Sequence, residues 1–181
     1  MDPFALLGLP KRPLLSEEEI GAAYRQLAST LHPDQAGGSE SQFKELGEAV
    51  AILRSPARRL RELAHSPIAS QIPTKAAELF PVIATILEET DNLMGKQIMA
   101  SNALTKAVLV APMKTLKQEL DSTLLQLQSW RSTLDQQLVE IDSLWPEHDS
   151  VQMNILADSY SYSDRWEFQL TERRLLIEQV L

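Results

Sequence analysis

Three consecutive residues, His32-Pro33-Asp34, have types and spacing suited to contact with a partner. The proline fixes φ and removes a backbone donor, so it holds the adjoining chain in one shape. Asp34 presents a carboxylate directly after that rigid residue. Such a group suits a charge-assisted, bidentate pair with an arginine of a partner. His32 can donate or accept beside it. The plain alternative is a helix stop followed by a turn, for which all three types are also suited.

No catalytic frame accompanies the triplet. There is no Gly-rich phosphate loop, no Ser/His/Asp arrangement and no carboxylate pair on a predicted cleft, so the chain is not expected to be an enzyme. The chain contains no cysteine, which excludes disulfides, cysteine-ligated zinc and cysteine-ligated iron–sulfur clusters. His32, His65 and His148 are too scattered for a metal site, and no cofactor is expected.

The elements around the triplet are helical. Ser16 and Glu19 form a capping-box pattern, and Glu17 and Glu18 suit the positive end of a helix dipole. Ile20, Tyr24, Leu27 and Leu31 then recur at spacings of 4, 3 and 4 on one helix face. That helix stops at His32, because a residue before proline is pushed out of the α region. Residues 35–41 read as a polar loop with two glycines. Phe43, Leu46, Val50 and Leu53 carry a second helix, broken at Ser55-Pro56 and followed by a basic turn or short helix. The two helices make an αα-hairpin with its loop at 32–41. A short apolar cluster, Phe4, Leu6, Leu7 and Leu9, precedes them.

Residues 65–74 hold two prolines and read as a linker between a domain at 1–64 and a second at 75–181. In the second, Leu79, Phe80, Ile83, Ile86 and Leu87 begin a helical pattern that extends through Leu104 and Val108, with Pro112 as the next break. Met113 to Trp145 keep a 3-or-4 spacing, which demands a partner helix along most of its length. Pro146 ends that helix, and Asp149 or Ser150 can cap a last one. The expected fold is all-α: an N-terminal helical hairpin followed by an antiparallel three-helix bundle.

The net charge of −8 is unevenly spread. Residues 1–64 carry 8 Lys/Arg and 9 Asp/Glu, whereas 65–181 carry 9 and 16. An acidic C-terminal part lacks the basic face that nucleic acid requires. No apolar run reaches the roughly 18 residues of a membrane span, and Met1-Asp2-Pro3-Phe4 does not resemble a secretory leader. A cytoplasmic protein with neither nucleic-acid nor membrane partners is expected.

Ala23-Tyr24-Arg25-Gln26-Leu27-Ala28 before His32-Pro33-Asp34, the Gly-containing loop, Phe43 and Ala49 after it, and the opening Phe4-Ala5-Leu6-Leu7-Gly8-Leu9 together resemble the J domain of DnaJ-type co-chaperones over residues 4–64. The resemblance implies an ATPase chaperone of the DnaK/HscA class as partner, contacted through Tyr24, Arg25, His32, Pro33 and Asp34. Gln35 stands where the family usually has a basic residue, and Gln26 and Thr30 stand where positive charge is common. Less electrostatic steering is therefore expected.

With 6 Gly and no Cys, the Gly/Phe linker and zinc module of large DnaJ proteins are not expected. The length, the short linker and the helical C-terminal part are similar to HscB-type co-chaperones of iron–sulfur cluster assembly. Leu53-Arg54-Ser55-Pro56 with Arg58, and Asp164-Arg165-Trp166 with Leu170, also resemble that family. It implies an iron–sulfur scaffold protein as client, held by Phe80, Ile83, Ile86, Leu87, Glu88 and Glu89. The alternative for the apolar members is bundle core. A structural or self-associating helical protein, forming a homodimer through its C-terminal helices and carrying a degenerate or general-purpose J domain, is the competing expectation.

Overall fold

The structure is a computed structural model and describes residues 2–34, 38–64, 71–147 and 149–181. Gln35, His65 and His148 lie outside the described residues, as does most of the expected linker. Every regular element described is an α-helix: α1 (Pro3–Leu7), α2 (Glu17–Leu31), α3 (Glu40–Arg54), α4 (Pro56–Ala64), α5 (Thr74–Met99), α6 (Ala103–Ser143) and α7 (Ser150–Glu178). The chain forms two compact units. One comprises Met1–Gln71 with Asp135–Asp158, the other Ile72–Leu134 with Ser159–Leu181.

In the first unit, α1 has only five residues, too few to persist alone. Asp2 caps it by accepting from the Phe4 and Ala5 N–H groups. Gly8 closes it with φ of 64°, a left-handed conformation that a side chain would strain. Phe4 and Leu7 are buried, and each contributes about 1.5–3 kcal/mol by leaving water. The Ser16–Glu19 capping box forms as expected: Glu19 N–H donates to the Ser16 hydroxyl, and Ser16 N–H donates to the Glu19 carboxylate at 2.7 Å. The Ser16 N–H and then the Ser16 hydroxyl, which donates to the same carboxylate at 2.8 Å, hold the Glu19 carboxyl below its ordinary pKa. Helices α1 and α2 both pack on α3, whose Leu46, Ala49, Val50 and Leu53 are buried.

The basic turn or short helix expected after Pro56 is a nine-residue helix, and one of its cations is not on the surface. Arg59 is buried. Its Nε donates to the Pro13 carbonyl at 2.6 Å and its Nη1 to the Leu53 carbonyl. A buried guanidinium is tolerable only with such partners. Here it ties α4 to the end of α3 and to the segment before α2. Residues 135–158 belong to the same unit. The Asp142 carboxylate accepts from Arg12 Nη2 at 3.0 Å, from Arg12 Nε at 3.3 Å and from the Leu14 N–H at 2.9 Å. Arg61 pairs with Asp158 at 2.8 Å.

The second unit is the helical bundle. Its core includes Leu79, Ile83 and Ile86 of α5, Met113, Leu116, Leu120, Leu127, Trp130 and Leu134 of α6, and Tyr160, Trp166, Leu170 and Ile177 of α7. The buried α6 stripe passes through Thr123 between Leu120 and Leu127. Thr123 donates its hydroxyl to the Glu119 carbonyl, so it can be buried. Two expectations are corrected. The break lies at residues 100–102, and Pro112 falls inside α6. Pro112 removes one N–H and frees the Val108 carbonyl. Residues 101–108 are exposed throughout, and the helix continues through Pro112. Asn102 caps α6 by accepting from Thr105 N–H at 2.8 Å. Asp149 does the same for α7 through the Val151 N–H.

Candidate functional site

The site is built from the last turn of α2 and the start of the loop that returns to α3. Helix α2 closes at Leu31, and His32 N–H still donates to the Ala28 carbonyl. His32 then turns extended, with φ of −59° and ψ of 135°, as its place before Pro33 requires. Its Nδ1 accepts from the Asp34 N–H at 3.2 Å. That geometry places the imidazole proton on Nε2. The His32 ring meets Phe43 of α3 edge to face, 5.2 Å between centroids and 74° between planes. Such pairs contribute about 0.5–1.5 kcal/mol. The turn is thus fixed from inside by its own histidine and from outside by α3.

A further residue fixes it, one the sequence reading missed. A Cβ at Gly38 would lie 2.0 Å from the His32 carbonyl oxygen and 2.9 Å from that of Leu31. Both are backbone atoms, which cannot swing aside. The returning chain therefore passes against the end of α2 at a distance only glycine permits. A Gly-Gly pair in a polar loop was the only sequence signal, and it read as looseness.

The structure brings His32, Pro33 and Asp34 together at one outer corner of the first unit. Pro33 is exposed, and the Asp34 side chain is 85% exposed. His32 Nδ1 lies 3.5 Å from its Oδ2. Asp34 therefore offers its carboxylate outward. Arg25 lies seven residues before His32, roughly 10 Å along the helix axis. It is exposed, and its guanidinium folds back beside Gly21. Tyr24 is half-buried. Gln26, Ser29 and Thr30 are exposed, and Ser29 and Thr30 spend their hydroxyls on carbonyls one turn back. The accessible face of α2 near the corner therefore carries one cation, Arg25.

The second candidate set is divided. Ile83 and Ile86 are buried in the bundle, so they hold α5 in place and are out of a partner's reach while the bundle is packed. Leu87 is half-buried, and Phe80, Glu88 and Glu89 are exposed. A groove beside Phe80 is lined by Pro81, Val82 and Thr85 of α5 and by Thr115, Gln118 and Ser122 of α6. Among the described residues, no cluster of His, Asp and Glu is arranged to hold a metal ion.

This hairpin with its His-Pro-Asp corner defines a J domain. Residues 2–61 match the family model of the DnaJ domain. The same stretch is 43% identical over 61 residues to the chaperone protein DnaJ of Deinococcus proteolyticus, covering 32% of this chain and 19% of that one. It is 42% identical over 60 residues to chaperone protein DnaJ 2 of Thermus thermophilus, covering 32% and 21%. It is also 43% identical over 63 residues to a DnaJ homolog subfamily C member 7 homolog of Schizosaccharomyces pombe, covering 33% and 13%. The matched stretch thus spans about a fifth or less of the length of these relatives. No solved structure matches the chain.

Proposed function

We propose that this chain is a co-chaperone that stimulates the ATPase of a DnaK/HscA-class chaperone and delivers a client to it. The observation that carries this reading is the Asp34 carboxylate, turned to solvent on a corner fixed by Pro33, the His32 imidazole and the close pass of Gly38. The corner is built for docking. A carboxylate held this way loses little freedom when it meets an arginine, so more of the pair's attraction becomes binding. Chemistry on the nucleotide belongs to the partner, and this chain breaks no bond. The cytoplasm is the compartment that suits such a partnership.

The client is the finer part of the reading. The likeness to HscB-type proteins favours an iron–sulfur scaffold protein. The exposed Phe80 and Val82, beside the α5–α6 groove and near Glu88 and Glu89, support a client surface of mixed apolar and acidic character.

The first experiment measures ATP turnover by a DnaK-class chaperone with wild-type chain and with Asp34→Asn. Asparagine keeps the shape and removes the charge, and the two cannot form the same bidentate ion pair. Stimulation falls at least roughly tenfold, the loss of 1.4 kcal/mol or more expected for a charged pair. Equal stimulation by both proteins rejects the docking role of Asp34. Calorimetric titration against an iron–sulfur scaffold tests the client, and absence of heat removes that part while leaving the ATPase reading intact.

A further inference from the structure

The turn between α5 and α6 has an unusual chemistry for this acidic chain. Residues 92–118 contain four lysines and no Asp or Glu, while the other residues carry 13 Lys/Arg and 25 Asp/Glu. The last acid before the turn is Asp91, eight residues and roughly 12 Å from Met99 along α5, and it pairs with Arg173. Lys117 is occupied by Asp121 and Glu178. Lys96, Lys106 and Lys114 are exposed and form no ion pair among the described residues.

The same tip presents apolar side chains to water. Ile98 is 82% exposed, Met99 86%, Leu104 75% and Val108 68%. Leu104 and Val108 are four apart and share one face of α6, and Ile98 and Met99 end α5 across a three-residue turn. Single exposed apolar residues are ordinary, but a contiguous group marks a contact surface. Every residue from 101 to 108 is exposed, so this stretch stands open to solvent. A protein segment docks best where it finds a concave, shape-matched seat. A bilayer interface needs no matching shape. It takes apolar side chains into the headgroup boundary, and lysines set just behind them reach the anionic headgroups.

We propose that the α5–α6 tip is a contact site for an anionic lipid surface, with Ile98, Met99, Leu104 and Val108 entering the interface and Lys96 and Lys106 meeting the headgroups. This departs from the expectation that the chain has no membrane partner. Among the described residues no helix is long and apolar enough to cross a membrane, and peripheral contact requires no such helix. The site belongs to the second unit, so it is independent of the Asp34 corner.

The test is flotation of the full-length protein with vesicles of phosphatidylcholine alone or with roughly a third phosphatidylglycerol, at about 0.15 M salt. Wild type floats with the anionic vesicles and stays behind with the neutral ones. Each lysine at an anionic surface contributes roughly fivefold. Lys96→Glu with Lys106→Glu therefore weakens binding by at least about twenty-fivefold. Leu104→Ser with Val108→Ser removes apolar insertion and also abolishes flotation. All four positions are exposed, so circular dichroism and ATPase stimulation stay at wild-type level in both variants. The proposal is overturned if wild type ignores anionic vesicles, if it binds neutral ones equally, or if either double variant floats like wild type. Light scattering that shows a dimer dissolved by Leu104→Ser with Val108→Ser would instead assign the tip to a second copy of the chain, and overturn it too.

Discussion

Asp34 owes its position to neighbours that need not touch a partner. His32 turns its ring inward against Phe43 and gives a nitrogen to the Asp34 N–H, and Gly38 lets the chain return against the His32 carbonyl. Gly38→Ala forces backbone apart at that contact. We expect it to lower ATPase stimulation several-fold while the helical circular dichroism of the chain is kept, because the clash is local to the loop. Unchanged stimulation would show that the corner tolerates displacement. At this scale the sequence was partly legible. The His-Pro-Asp triplet and the Ser16–Glu19 box announce themselves by type and spacing. The demand on Gly38 depends on a distance between backbones six residues apart, and no local pattern encodes it. The burial of Arg59 was illegible for a similar reason: arginine is usually a surface residue, and only the carbonyls of Pro13 and Leu53 explain its burial.

Helix α2 is well anchored and electrostatically plain. Its capping box fixes the start, Ile20 and Gly21 are buried, and its outer face near the corner carries Arg25 among neutral residues. Charge there acts mainly on the rate of encounter. Gln26→Lys with Thr30→Lys restores two cations at exposed positions one turn apart. Association with a DnaK-class chaperone should quicken by roughly tenfold at low salt, with the gain shrinking as salt rises and dissociation nearly unchanged. Stopped-flow or surface-plasmon kinetics at two ionic strengths decides this, and a change confined to dissociation would contradict it. Helices were legible wherever an apolar stripe met a cap. The turn at 100–102 was not, because Pro112 looked the stronger breaker. The usable signal was Asn102 three residues before Thr105, a polar cap at the head of a helix.

Across the whole molecule, the J-domain hairpin shares a compact unit with residues 135–158. That membership is carried by contacts more than 90 residues apart in sequence, such as Arg12 to Asp142 and Arg61 to Asp158, and periodicity is blind to such pairs. Asp142 is the joint's main acceptor, taking two guanidinium bonds and the Leu14 N–H. Asp142→Ala leaves those donors without a partner. It should cost about 1–3 kcal/mol in denaturant unfolding of the full chain. A change within a few tenths of that scale would mean that water replaces the carboxylate without penalty.

That shared unit also bears on the order of events at the ribosome. Residues 2–64 emerge early and hold all four helices of the J domain, but the segments that complete their unit lie at 135–158. At roughly 5–20 residues per second, synthesis takes about 5–20 s to run from Ala64 to Asp158. During that interval the Asp142 and Asp158 carboxylates that Arg12 and Arg61 meet are absent, as are the buried Leu138, Met153 and Leu156. The nascent chain thus passes through a stage in which its first four helices are made and the later segments of their unit are not.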